Sequence, residues 1–184
     1  MFDKVQLRLS LLQRRASLTE TEWRHRSQNT CKILASSQLL LQSKTVLAYF
    51  SFRNEPDLSS LFYHFPVRWG FPRCVGKTMS WHIWKPGDIL NTGAYGIKEP
   101  DVNATKIEAS EVDLILVPCV ACDYQGYRLG YGGGYYDRML SMAEWNSIPT
   151  VGIVFEFAYL PHLPIEIWDK PLQNICTENK ILGL

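Results

Sequence analysis

The chain reads as an α/β fold in three layers, α/β/α, with a largely parallel central sheet and helices on both faces. Three observations predict this. Residues 113–120 (Asp-Leu-Ile-Leu-Val-Pro-Cys-Val) form an almost unbroken apolar run, the pattern of a central strand covered on both sides. Shorter runs of the same kind stand at residues 45–50 and 149–155. Segments of helical spacing lie before and between them, so buried strands alternate with helices.

The elements follow in order. Residues 2–16 carry Val5, Leu9 and Leu12 at helical spacing, with Arg and Lys between them. Lys4 and Arg8, four apart, share a face of that helix. A second helix starts at Thr19, where Thr19 and Glu22 make a capping-box pattern and Leu18 with Trp23 fits the hydrophobic staple. It is expected to reach about Leu41. After the strand at 45–50 comes a loop, residues 51–56, and Asp57 can cap a short helix ending near Phe65. Residues 68–100 are rich in Gly and Pro. Within them 79–84 (Met-Ser-Trp-His-Ile-Trp) alternates like a strand and 91–100 reads as loop. Pro118 belongs near the end of the central strand. A glycine run follows, then a helix to about Trp145, the strand at 149–155 and a last short strand at 174–177. No repeat, low-complexity stretch or linker interrupts the chain, so residues 1–184 are expected to form one domain.

Bulk properties narrow the function. A net charge of +1 on 184 residues argues against a polybasic nucleic-acid or membrane binder. The charge is uneven, however. Residues 1–32 hold seven basic side chains against three acidic ones. This segment either faces an anionic ligand or is a solvated helix face. No apolar run is long enough to cross a bilayer, and no signal-peptide pattern opens the chain. Five scattered cysteines without such a signal point to reduced thiols in a cytoplasm. Cys119 and Cys122 have redox or zinc spacing but lack a second ligand pair. In an extended strand they would point to opposite faces, and core packing is the expectation. The glycosylation-type triplet at Asn103 carries no weight in a cytoplasmic protein.

The chemistry concentrates at residues 126–140, Gly-Tyr-Arg-Leu-Gly-Tyr-Gly-Gly-Gly-Tyr-Tyr-Asp-Arg-Met-Leu, with five of the twelve glycines. Glycines allow positive φ and close ligand approach. A helix start after them offers free N–H groups to an anion. The position, just after a central strand, is where open α/β sheets bind ligands. The run matches neither the Walker A nor the dinucleotide fingerprint, so it is a phosphate-type loop of another kind. Arg128 can pair with phosphate in bidentate fashion. Asp137 is either a magnesium anchor beside polyphosphate or a helix N-cap.

Arg-Leu-Gly-Tyr-Gly-Gly-Gly-Tyr-Tyr-Asp-Arg resembles the signature of the 5-formyltetrahydrofolate cyclo-ligase family. Lys-Val-Gln-Leu-Arg at the start, Asn-Glu-Pro-Asp at 54–57, and the segments Met-Ser-Trp-His-Ile-Trp, Tyr-Gly-Ile-Lys-Glu-Pro, Asp-Leu-Ile-Leu-Val-Pro, Trp-Asp-Lys-Pro-Leu and Thr-Glu fall in that family's order. The resemblance spans nearly the whole chain. It implies ring closure of 5-formyltetrahydrofolate to 5,10-methenyltetrahydrofolate, driven by ATP with magnesium through a phosphorylated formyl group, with release of ADP and phosphate.

The resemblance also implies roles. Lys4, Arg8, Arg128, Leu129, Gly130, Tyr131, Gly132, Gly133, Gly134, Tyr135 and Tyr136 would bind ATP. Phe50, Glu55, Tyr131, Gly132, Gly133, Gly134 and Tyr135 would contact folate. Arg128, Tyr135 and Asp137 would be catalytic, and Asp137 with Asp169 would hold Mg2+. Asp169 is otherwise an exposed turn residue before Pro171. Some members carry a basic residue where Tyr131 stands, so Tyr131 is expected to stack or hydrogen-bond. Trp81 and Trp84 form an aromatic wall or, as the stronger expectation, pack in the core. Residues 95–97 line the cleft, and Lys98 with Glu99 reads as a solvated pair. The partners expected are small molecules, not nucleic acid or membrane, and the protein is expected to be a monomer. The alternatives are a relative acting on another phosphorylated substrate, which would lose Lys4, Arg8 or Asp137, and a non-catalytic RNA-associated relative, which would add a basic patch.

Overall fold

The computed structural model describes residues 3–183; the expected helix start at residue 2 lies outside them. The elements run α1 (Lys4–Ala16), α2 (Glu20–Ser36), α3 (Gln38–Leu41), β1 (Thr45–Leu47), α4 (Ser59–His64), β2 (Arg68–Val75), β3 (Thr78–Ile83), β4 (Leu90–Thr92), β5 (Lys98–Pro100), β6 (Lys106–Ile107), β7 (Leu114–Pro118), β8 (Ala121–Asp123), β9 (Arg128–Leu129), α5 (Tyr135–Leu140), β10 (Thr150–Ile153), β11 (Tyr159–Leu160), β12 (Asn174–Cys176) and β13 (Ile181–Gly183).

Eight strands make the main sheet in the order β13-β12-β10-β7-β1-β2-β3-β6. Its five middle strands, β12 to β2, are parallel, and the strands beyond them on either side pair antiparallel. From β1 the chain first moves to one side, to β2, and then crosses back to β7 on the other. The gap beyond the C-terminal ends of β1 and β7 is therefore a topological switch point, where doubly wound sheets open a crevice.

The apolar run of β7 divides by period two. Leu114 and Leu116 face a cluster containing Cys31 and Leu34 of α2, Leu40 of α3 and Phe62 of α4. Ile115 and Val117 face the opposite cluster, with Leu11 of α1 and Met139 and Leu140 of α5. All four are essentially inaccessible, and burying each contributes about 1.5–3 kcal/mol. Helices thus cover both faces of the sheet, as the alternation of elements predicts.

Several boundaries differ from expectation. The helix from Thr19 is not continuous to Leu41. Ser37 is extended (φ −77°, ψ 140°), and its hydroxyl accepts from the Leu40 N–H, starting a new helix. The capping box at Thr19 and Glu22 forms in full. Residues 91–100 are not plain loop: β4 and β5 pair as a hairpin. The helix after the glycine run ends at Leu140, five residues early. Glu99 is not solvated. It is buried, accepts the Cys74 N–H at 2.9 Å and lies 3.7 Å from Arg73, whereas Lys98 is exposed.

The Cys119–Cys122 pair also departs from a simple strand. The chain bends after Pro118, and the Cys119 N–H goes to Ile153 while the Val120 N–H goes to Leu129. Both cysteines consequently join one cluster instead of opposite faces, and both are free thiols. Core packing holds for them, and also for the tryptophans. Trp81 is buried against Met139, its indole N–H 3.3 Å from the sulfur. Trp84 stands edge-on to Phe50, Phe62 and Phe71.

Candidate active site

A cavity of about 1080 Å3 opens beyond the C-terminal ends of the parallel strands. One wall is α1. Asp3 caps it by accepting the Val5 N–H, and Lys4 and Arg8 project from it on one face. The Arg8 Nε donates to the Gly130 carbonyl at 2.7 Å, fastening the helix to the glycine segment. The Lys4 ammonium reaches Asp169 Oδ2 at 2.5 Å. The basic N-terminal charge therefore belongs partly to the cavity and not merely to a solvated face.

The glycine segment makes the floor. Gly132 and Gly134 have φ of +101° and +66°, which L side chains rarely adopt. Gly134 takes the N-cap position of α5. Asp137, three residues on, caps nothing: its Oδ1 accepts from Arg128 Nη2 at 2.7 Å. The Arg128 side chain is 5% exposed, and its Nε has no hydrogen-bond partner among the described residues. The Tyr136 hydroxyl is likewise buried without a partner. Both atoms are enclosed by neighbouring protein, and it is the Arg128 Nη2 bond to Asp137 that fixes the guanidinium in the cavity wall.

Tyr135 crosses the mouth. Its hydroxyl donates to the Gly76 carbonyl in the β2–β3 turn at 2.9 Å and lies 3.0 Å from the Tyr95 hydroxyl. Its pKa is pushed up to about 12, the hydrogen bond with Tyr95 being the largest cause, with desolvation and Cys74 adding to it. Arg138 holds the same region: it donates to the carbonyls of Lys77 and Gly133, each at 2.7 Å.

The far end is carboxylate and aromatic. Phe50 follows β1 and stacks on Phe71 with ring centroids 4.0 Å apart. Glu55 is 3% exposed and accepts the Phe52 N–H at 3.0 Å. Burial pushes its pKa up to about 7, offset in part by Arg15, the Phe52 N–H and Tyr131. The loop bearing it is strained, with φ of +49° at Arg53 and +56° at Asn54. The Trp23 indole N–H and the Ser51 hydroxyl both bind the Glu55 carbonyl, each at 2.8 Å.

Every residue to which the resemblance gives an ATP, folate, catalytic or magnesium role lines this one cavity: Lys4, Arg8, Phe50, Glu55, the whole of 128–137, and Asp169. Tyr95 and Ile97 line it as expected. Asp169 is not an exposed turn residue; its side chain is 12% exposed and also accepts the Glu166 N–H. Tyr131 hydrogen-bonds, receiving Arg15, and meets Phe52 edge-on. Trp168 and Arg138, which the sequence reading did not single out, also face the cavity. Arg15 was missed as well, although positions 4, 8, 11 and 15 trace a single helical stripe.

Magnesium commonly takes one or two carboxylates and completes its shell with phosphate oxygens and water. Asp137 spends Oδ1 on Arg128, and Asp169 spends Oδ2 on Lys4 and Glu166, which leaves one oxygen of each outside these bonds. No cluster of three or more His, Cys, Asp or Glu side chains gathers for a metal among the described residues. The residues fit a phosphate-assisted magnesium site and not a closed protein cage.

A family model described as the 5-formyltetrahydrofolate cyclo-ligase family matches residues 1–178. The chain belongs to that family. Curated cyclo-ligases from Haemophilus influenzae and Escherichia coli K12 are 29% and 28% identical to it, over 92% of this chain and 95% and 97% of their own lengths. An NMR structure of Aquifex aeolicus 5,10-methenyltetrahydrofolate synthetase superposes with a TM-score of 0.85 at 33% identity, covering 98% of this chain and 92% of that one. A synthetase from Mycoplasma pneumoniae shares the fold, with a TM-score of 0.76 at 23% identity, over 96% of this chain and 99% of that one. The cyclo-ligase match thus takes in α1, the Glu55 loop, the glycine segment and Asp169 together.

Proposed function

We propose that this chain closes 5-formyltetrahydrofolate to 5,10-methenyltetrahydrofolate, consuming ATP with magnesium and releasing ADP and phosphate. One observation carries the reading: the Lys4 and Arg8 side chains, the glycine segment and the Phe50–Glu55 end share a single cavity. A triphosphate and a pterin can then meet inside it.

The formyl oxygen is a poor leaving group. Its attack on the γ-phosphorus breaks the bond to ADP and gives an iminium phosphate at N5. N10 then attacks the former formyl carbon, phosphate leaves, and the N10 proton passes to solvent. Little covalent protein chemistry is needed, so positioning and charge neutralisation carry the rate. Lys4 and Arg8 hold phosphate oxygens, and the Arg128 guanidinium in the cavity wall adds positive charge toward the transferring group. The segment from Arg128 to Tyr136 encloses the nucleotide, with Leu129 and Gly130 presenting backbone to it. Tyr131 through Tyr135 also touch the folate. Phe50 packs on the pterin, and the Glu55 carboxylate accepts two of its N–H groups side by side. Tyr135 closes the mouth over the reacting atoms. Asp137 and Asp169 would hold magnesium, which when bound neutralises phosphate charge.

The chain works as one domain and as a monomer on small-molecule substrates in the cytoplasm. No helix among the described residues is long and apolar enough to cross a membrane. The test is formation of the near-ultraviolet-absorbing methenyl product from 5-formyltetrahydrofolate, with and without ATP and magnesium. Absence of ATP-dependent product from well-folded protein refutes the proposal.

A further inference from the structure

Arg15 lies on α1, in the same stripe as Lys4 and Arg8 but deeper, and is 3% exposed. A buried guanidinium is costly unless it is bonded. Its Nε donates to the Arg53 carbonyl at 2.9 Å, the residue at which the Glu55 loop enters its strained positive-φ stretch. Its Nη2 donates to the Tyr131 hydroxyl within the glycine segment. Its Nη1 has no hydrogen-bond partner among the described residues. One side chain thus grips both the loop of the proposed folate end and the loop of the proposed nucleotide end.

We infer that Arg15 is a positioning residue: by bonding the Arg53 carbonyl and the Tyr131 hydroxyl at once, it holds the Arg53–Glu55 loop against the glycine segment and so sets the place of the Glu55 carboxyl for the folate. The inference rests on the reading of Glu55 as a folate contact. The groups facing Glu55 come from four directions. Arg15 approaches from α1, Tyr131 from the glycine segment, Tyr49 from beyond β1 and Tyr136 from α5; Arg53 and the Phe52 N–H belong to its own loop. Of the charged and titrating groups, the three tyrosines are neutral near neutral pH, burial holding each above its ordinary range. Arg15 is the cation that lowers the pKa of Glu55, and the Tyr131 hydroxyl assists it. Without Arg15 the carboxyl should keep its proton to higher pH.

The experiment follows kcat/KM for 5-formyltetrahydrofolate against pH at saturating ATP, in the wild type, Arg15→Met, Arg15→Lys and Glu55→Gln. The expected result is an acid limb near pH 7 in the wild type that moves up by about half a pH unit or more in Arg15→Met. Arg15→Lys should return it most of the way, and Glu55→Gln should abolish it. If Arg15→Met does not fold, Tyr131→Phe, which deletes only the hydroxyl, must move the limb in the same direction. An unmoved limb in Arg15→Met, or in Tyr131→Phe where that replaces it, beside a lost limb in Glu55→Gln overturns the role of Arg15 alone. A limb and a folate KM both unchanged in Glu55→Gln overturn the folate reading of Glu55 and this inference with it.

Discussion

The Lys4 ammonium lies 2.5 Å from the Asp169 carboxylate, joining residues 165 positions apart and closing the cavity between α1 and the turn that carries Trp168. With the side chains 23% and 12% exposed, the pair is largely sheltered from solvent and from salt. Each partner has a proposed ligand of its own, phosphate for Lys4 and magnesium for Asp169. Their variants should therefore separate. Lys4→Ala is expected to raise the KM for ATP about tenfold or more, equivalent to about 1.4 kcal/mol. Asp169→Asn is expected to shift the magnesium concentration needed for half-maximal rate. Steady-state titrations of each substrate and of magnesium distinguish the two; an unchanged magnesium dependence in Asp169→Asn would reduce Asp169 to a support for Lys4.

Asp137 pairs with a nearly buried Arg128 instead of capping α5. Asp137→Asn is isosteric and should leave the melting temperature within a few degrees. Its kcat should fall by about 100-fold or more, the scale on which well-placed charges act at a transferring group. A variant that kept wild-type turnover would show that the carboxylate serves only to orient Arg128.

Gly134 combines φ of +66° with a position where an added Cβ would come 2.7 Å from Arg138 Nη1. Gly134→Ala should lose about 1–2 kcal/mol to backbone strain and push Arg138 off the Gly133 carbonyl. Thermal unfolding should register a drop of a few degrees, accompanied by weaker ATP binding. Gly76→Ala has a positive φ too, but nothing within 4 Å, so its effect should be confined to strain.

Glu55 gives a pH dependence of stability. Its folded pKa, about 7, lies above its ordinary value of 4.5 because of burial. Below the ordinary value both states are protonated and the group costs nothing. As pH rises, the unfolded chain loses its proton first, so stability falls until the folded carboxyl also ionises near pH 7. Glu55→Gln should therefore gain in melting temperature relative to the wild type between pH 5 and pH 8. A difference that stays constant across that range would contradict the buried-carboxyl account.

Cys74 is the least buried of the five cysteines and lines the cavity beside Tyr135. Burial raises the thiol pKa of Cys31, Cys122 and Cys176, so these should resist modification in the native protein. A maleimide should label Cys74 first, and ATP with 5-formyltetrahydrofolate should slow that labelling. Mass spectrometry of the labelled protein checks both points.

Much of this molecule is legible in its sequence because the signals are local. The period-two division of residues 114–117, the capping box at Thr19 and the glycine run each depend on neighbours a few positions away. They sufficed for an α/β sheet and for a loop shaped around a ligand. Boundaries were harder. Nothing in the composition around Ser37 marks it as the place where one helix stops and another begins, since a serine hydroxyl can cap or simply face solvent. Glu99 likewise looked like a surface charge until β2 and β5 brought Cys74 and Arg73 to it.

The candidate site divides in the same way. The sequence by itself determined which side chains could meet phosphate, because side-chain chemistry travels with the residue; the folate and metal roles were assigned only as what the family resemblance implies. Only the tertiary structure decided that Lys4 meets Asp169, that Asp137 faces Arg128 instead of a helix end, and that Arg15 reaches Tyr131 and the Arg53 carbonyl at once. These pairs are separated by 9 to 165 positions. Their geometry follows from the order of the sheet, which sets α1, the Glu55 loop and the glycine segment around one crevice. No spacing rule within a single element carries that information, and it is burial in that crevice that makes Glu55 and Arg15, which read as ordinary surface charges in the sequence, depend on partners far away in the chain.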